Sequence, residues 1–155
     1  DRFLMRIDLG YTSLINEIRI LDLQKLIHPI QNLDAVVSIA DTLSAQEIIR
    51  QIHVSEPVKR YIVEMVRRTR EHPDVYLGAS PRGSLGLYRG GQAWAALEGR
   101  DYVLPDDIKR LAPYVLAHRV MMSPTARLTA VSATTIIKEI LDSLPIPTHA
   151  EVVES

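Results

Sequence analysis

The sequence predicts an all-α fold, a bundle of amphipathic helices preceded by one strand, and three observations carry that prediction. Apolar residues recur at helical spacing behind serines suited to N-caps, at Ser13, Ser44, Ser55, Ser80 and Ser132. Proline and glycine then close the segments, as at Pro73, Gly99 and Pro145. Period-two alternation dominates only from Phe3 to Leu9, where Phe3, Met5, Ile7 and Leu9 share one side and Arg6 and Asp8 take the other. With 155 residues, 46% of them hydrophobic, the chain can bury a sizeable core, which excludes a disordered segment.

The strand comes first and needs a partner, because a strand alone is unstable. The rest of the chain reads mainly as helix, so the partner sheet is expected in a preceding part of a longer protein. The opening Asp1, Arg2, Phe3, with no initiator methionine, fits an excised fragment. An irregular arm laid over helices is the alternative. From Ser13 a core-facing helix is predicted, with Leu14, Ile18 and Leu21 on one stripe and His28 and Pro29 at its end. Residues 31–42 show no sustained period and read as a connection. Ser44 and Glu47 then have the spacing of a capping box, followed by Ile48, Ile49 and Ile52 and a stop near His53 or Val54.

Ser55 opens the clearest helix, whose stripe is Val58, Ile62, Met65, Val66 and Thr69 and which ends before Pro73. Arg67, Arg68 and Arg70 fall in its last turn, where the helix dipole favours cations. After a loop over residues 71–78, Ser80 and Pro81 start a helix running to about Glu98, with Leu87, Trp94 and Leu97 as large core residues. Gly99 ends it, and an extended connection leads to Pro105, Asp106 and Asp107, which open the next helix as first-turn charges. That helix buries Ile108, Leu111, Ala112 and Val115 and carries His118 and Arg119 near its end. Residues 121–131 read as extended. Ser132 caps a last helix with Ile136, Ile137, Ile140 and Leu141 inward.

Two features of the helix behind Ser80 stand out. Arg82 places a permanent cation at a helix start, where an acid would ordinarily be preferred, and this becomes sensible if the N-terminal N–H groups and the guanidinium meet an anion. An arginine that merely bends to solvent is the competing reading. Gly83, Gly86 and Gly90, at spacings of three and four, share a stripe, and Gly91 follows. Each costs roughly 1 kcal/mol relative to alanine inside a helix, so the helix needs tertiary support. The smooth stripe admits either a neighbouring helix or a flat ligand.

Other chemistry is missing. None of the five histidines lies three or four residues from another, there is no cysteine, and neither GxSxG nor GxxxxGK[ST] occurs. The net charge of −1, with both signs dispersed, argues against a broad nucleic-acid or acidic-membrane surface, and no apolar run reaches membrane-spanning length. A soluble, cytoplasmic protein is expected.

Three ordered runs, DRFLMRIDLGY, VSEPVKRYIVEMVRRTREHPDVYLGASPRGSL and AWAALEGRDYVLPDDIKRLAPYVLAHRV, resemble the C-terminal part of MoxR-type AAA+ ATPases, from Asp1 to about Pro147. The resemblance implies that residues 1–12 finish a nucleotide-binding core, that 13–147 form the AAA+ lid-type helical bundle, and that 148–155 are a tail. It implies ATP as ligand, with the phosphate loop and the Mg²⁺-binding residues in a core upstream of this chain, so that the fragment alone would be inactive. Arg82, in SPR, corresponds to the sensor 2 arginine that reaches the γ-phosphate of ATP in its own subunit, with Ser80 beside it. Arg2, in DRF, resembles the arginine finger offered to a neighbouring subunit. The partners implied are other copies in a hexameric ring and protein clients, including von Willebrand factor A domain proteins, in chaperone-like remodelling or maturation. No nucleic-acid or membrane partner is expected. A DNA-handling or chelatase-type relative, and a helical interaction module without nucleotide, are the alternative classes. The family's sensor helix is usually richer in alanine than Gly83–Gly91, which implies a more mobile helix here.

Overall fold

The computed structural model describes residues 2–25 and 28–147; the tail expected at 148–155 lies outside them. The chain divides into two compact units, Ile7–Gln46 and a larger one comprising the residues up to Arg6 and those from Glu47 onward. Helices dominate both, and the β content among the described residues is one small two-stranded ladder and an isolated bridge, so the all-α class holds.

In the smaller unit, α1 spans Leu14–Leu23, and Ser13 Oγ accepts the Asn16 N–H at 3.4 Å as the cap predicted for it. The helix ends earlier than its apolar pattern implied, and its stripe faces no core: Leu14 is 74% and Leu21 70% exposed. His28, expected at the end of that helix, instead caps a 3₁₀ turn over Pro29–Asn32, its Nδ1 accepting the Ile30 N–H. The next helix, α2, spans Ile39–Gln51 and so starts inside the stretch expected to be a connection. Its capping box is Ser38 with Asp41, not Ser44 with Glu47: Ser38 Oγ accepts the Asp41 N–H, and Asp41 Oδ2 accepts the Ser38 N–H, both at 3.1 Å. Aspartate serves the reciprocal bond as glutamate does, and Ser44 lies too far into the helix to cap it. The same contacts from Ser38, first its hydroxyl and then its backbone N–H, hold the Asp41 carboxyl below the usual aspartate range.

The larger unit is built on α3, Glu56–Glu71, whose buried face is Val58, Ile62, Met65, Val66 and Thr69, as the stripe requires, together with Tyr61. Ser55 stands at its N-cap position, although its hydroxyl makes no capping bond. The expected loop after α3 contains a short strand, β1 (Val75–Leu77), paired antiparallel with β2 (Met121–Met122). Two further helices follow, α4 (Pro81–Leu97) and α5 (Pro105–Leu116). Gly99, at φ +72°, turns the chain out of α4 in a conformation that suits glycine. Asp107 does more than complement the dipole: its carboxylate accepts the Leu104 N–H at 2.8 Å and takes both ends of the Arg100 guanidinium, at 2.9 and 2.7 Å. After β2, the stretch expected to be extended includes a helical turn, α6 (Pro124–Leu128), capped by Ser123. Ser132 caps α7 (Ala133–Ser143), which buries Ile136, Ile137 and Ile140.

The glycine stripe is answered by packing. A Cβ on Gly83 would stand 3.0 Å from Leu116 Cδ2, on Gly86 2.9 Å from Val115 Cγ1, on Gly90 3.2 Å from Leu111 Cδ1, and on Gly91 2.7 Å from Ile108 Cδ1. Thus α4 lies against the apolar face of α5 at a separation that side chains at these positions would crowd, and burial there replaces the stability that the glycines forfeit. Leu97, expected in the core, is 82% exposed on the far side of its helix.

Of the two readings of Phe3–Leu9, the strand departs from the structure, and the irregular arm laid over helices agrees with it up to Arg6. No ladder forms there, because no strand among the described residues lies alongside to complete it. The segment up to Arg6 instead belongs to the larger unit: the Arg6 N–H donates to Tyr114 O at 2.9 Å, and Met5 packs against the core.

Candidate functional site

The start of α4 is fixed from α3. Thr69, fully buried, donates its hydroxyl to Val66 O at 2.6 Å and accepts the Ala79 N–H at 2.9 Å. Arg70 Nε donates to Ala79 O at 2.8 Å. Between these bonds the chain crosses α3 so closely that a Cβ on Gly78 would lie 2.6 Å from backbone atoms of Thr69 and Arg70. Arg70, expected merely to complement a helix dipole, is therefore a brace for the loop that carries Ser80 and Arg82.

Ser80 caps α4, its Oγ accepting the Arg82 N–H at 3.3 Å while its carbonyl accepts the Gly83 N–H at 2.8 Å. Two of the N–H groups anticipated as anion donors are thus given to Ser80, and the Arg82 guanidinium becomes the principal donor that this helix start offers. Ser80 acts here through the cap and does not line the cleft into which Arg82 opens.

That cleft, of about 570 Å³, brings together the two arginines singled out in the sequence, Arg2 and Arg82. Two more join them: Arg89, two turns along α4 on the same face, and Arg119, just beyond α5. Leu4, Leu85 and Gly86 supply its apolar surface. Among the described residues no aspartate or glutamate lines it. Like charges around one open space repel, and an anion between them would offset that cost. A planar guanidinium presents a fork of donors matched to phosphate or carboxylate oxygens.

Arg119 is engaged with backbone. Its Nε donates to Val115 O at 2.7 Å, and its Nη2 to Phe3 O at 2.6 Å and Leu4 O at 3.1 Å. His118 Nε2 lies 3.2 Å from the same Phe3 carbonyl. Burial pushes the Arg119 guanidinium below the ordinary arginine value. Arg89 was legible as the residue at i+7 from Arg82; Arg119 was not, because only the antiparallel packing of α5 on α4 brings it to the same place.

A larger cavity of about 780 Å³ lies between α3 and the residues after α7. Glu56 and Glu64 line it alongside Lys59, Arg60, Arg67 and Arg68, so it has no preference for one sign of ligand. Among the described residues no group of three His, Cys, Asp or Glu side chains gathers to hold a metal ion.

The described residues thus form a short-looped helical unit in which the arginine at one braced helix start opens into a cleft, and comparison with known proteins supplies the class. The family model for the AAA lid domain matches residues 67–140. YeaC of Bacillus subtilis, an uncharacterized protein, is 42% identical over 99% of this chain and 48% of its own length. The chaperone MoxR1 of Mycobacterium tuberculosis is 32% identical over 95% of this chain and 41% of its own. A crystal structure of a candidate ATPase from Cytophaga hutchinsonii superposes with a TM-score of 0.83 at 32% identity, over 95% of this chain and 47% of that one. Residues 67–140 are thus similar to the AAA lid domain, and the chain along nearly its whole length to a MoxR chaperone. The chain spans about half the length of the relatives it matches, or somewhat less.

Proposed function

We propose that this chain is the lid portion of an ATP-driven remodeller, and that Arg2 and Arg82 act as one set on the phosphate chain of a single ATP. The observation that carries the reading is their convergence, on one compact unit, in a cleft whose described lining includes four arginines and no carboxylate. A polyphosphate fits that donor set. Mg²⁺, which accompanies the nucleotide in such proteins, would take its ligands from outside these residues. Bound there, ATP supplies a phosphoryl group whose transfer builds charge on the oxygens that guanidinium groups face.

The resemblance implied a division of labour, with Arg82 serving its own subunit's nucleotide and Arg2 a neighbour's. Residues held on one body move together, so a subunit that presents Arg2 to a neighbour's nucleotide presents Arg82 with it. In a ring, this makes the cleft one wall of an intersubunit site, and loss of the anion on hydrolysis frees the unit to swing as a body. The work so driven is chaperone-like remodelling or maturation of protein clients, von Willebrand factor A domain proteins among them, by a hexameric ring in the cytoplasm.

The test is Arg82→Ala in the intact protein. ATP turnover should fall while the thermal midpoint stays put. Unchanged turnover would favour a helical interaction module without nucleotide, and tight, salt-sensitive DNA binding would favour the DNA-handling class.

A further inference from the structure

The segment that carries Arg2 has no ladder to hold it, yet it lies on a defined path. Its fastening comes from the end of α5. Arg119 Nη2 donates to the carbonyls of Phe3 and Leu4, at 2.6 and 3.1 Å, and Arg119 Nε donates to Val115 O at 2.7 Å. One planar group therefore ties the last turn of α5 to the two residues that follow Arg2. The Arg6 N–H closes the other end of the tether on Tyr114 O at 2.9 Å. Between them Leu4 rests over Gly86, where a Cβ would come within 3.6 Å of Leu4 Cδ1 and 2.9 Å of Val115 Cγ1. The same α5 surface thus seats both α4, which bears Arg82, and the segment that bears Arg2.

We propose that Arg119 is a positioning residue for ATP hydrolysis: by clamping the Phe3 and Leu4 carbonyls to the end of α5, it sets the place of Arg2 relative to Arg82. The inference rests on the reading that Arg2 acts on the phosphate chain. Two of the guanidinium's nitrogens serve as a fork on backbone carbonyls, so its contribution is geometric. Lysine keeps the charge and much of the stem but cannot bridge three carbonyls from a planar head.

The experiment uses the intact protein with Arg119→Lys, Arg2→Ala and the double variant, assayed for ATP turnover, with amide hydrogen exchange at Arg6 as a second readout. Arg119→Lys should lower kcat by about tenfold to a hundredfold, the scale of a misplaced catalytic group, with KM for ATP within about twofold of wild type. The double variant should be no slower than Arg2→Ala, because a clamp has nothing left to position. Exchange at Arg6 should quicken while the amides of α4 keep their protection. Near-wild-type kcat in Arg119→Lys would overturn the inference, as would a double variant slowed by the product of the two single effects. Should Arg119→Lys lower the protein's thermal midpoint, the exchange comparison decides: loss of protection throughout α4 and α5 means a packing role and overturns the proposal. If Arg2→Ala itself leaves kcat unchanged, the reading of Arg2 is what fails, and the clamp's catalytic role falls with it.

Discussion

Two arginine clusters lie close together in this chain, and they differ in what answers them. At the end of α3, Arg67 meets Glu71 at 3.7 Å, Arg68 meets Glu64 at 3.3 Å and the Ser143 hydroxyl at 3.2 Å, and Arg70 is bonded to Ala79 O. Around the start of α4, Arg2, Arg82, Arg89 and Arg119 line one cleft with no carboxylate among its described lining residues. The first cluster is denser in sequence and the second is assembled from three separate stretches. Charge density along a chain therefore does not locate an anion site; what lines a cleft in three dimensions does.

The comparison breaks or sharpens under substitution in the intact protein. The largest effect should come from the cleft: Arg2→Ala is expected to reduce kcat by roughly 10³-fold or more, and Arg82→Ala by roughly 10²-fold or more, measured by steady-state ATP turnover. Next comes the brace between the clusters. Gly78→Ala puts a methyl against backbone that cannot yield, and should cost about 3 kcal/mol in a thermal or denaturant unfolding series, with turnover falling as the start of α4 shifts. Arg67→Ala should do least, removing an exposed pair at 60% and 64% side-chain exposure and changing stability by less than about 0.5 kcal/mol with turnover intact. A large loss of turnover in Arg67→Ala would undo the contrast.

A control away from both clusters is Tyr61 on α3, whose phenol is pushed up to about 12, first by burial and second by the nearby Asp106 carboxylate. The unfolded phenol ionises near 10, so the folded chain holds the proton more tightly and stability falls as pH rises from about 10 to about 12. Tyr61→Phe should flatten that alkaline loss in a pH series of unfolding midpoints. It should change little at neutral pH, because the buried hydroxyl has no hydrogen-bond partner among the described residues.

Much of the larger unit was legible. The stripes of α3 and α7 name their buried residues, because local period and burial coincide where the partner helices belong to the same chain. Serine caps at Ser13, Ser80 and Ser132 were legible because a cap is a bond between residues two or three apart. The pattern of α1 misled, since Leu14, Ile18 and Leu21 mark an apolar face without saying what covers it. Phe3–Leu9 misled similarly, as alternation does not supply a ladder. In the site, Arg82 announced itself by violating the dipole rule, and Arg2 came only through resemblance. Arg119 could not be anticipated, because its position in the cleft depends on how closely α5 approaches α4, and that depends on four glycines whose purpose the sequence left open between helix and ligand.

The most direct test of the central claim mixes two defective proteins. Intact subunits carrying Arg2→Ala and Arg82→Ala are combined in equal amounts, exchanged into common rings, and assayed for ATP turnover. If both arginines reach one nucleotide from the same subunit, no interface in the mixture is complete and turnover stays at the level of the separate variants. Recovery toward about a quarter of wild-type turnover, the share of interfaces that random pairing would complete if the two arginines came from different subunits, would contradict the account.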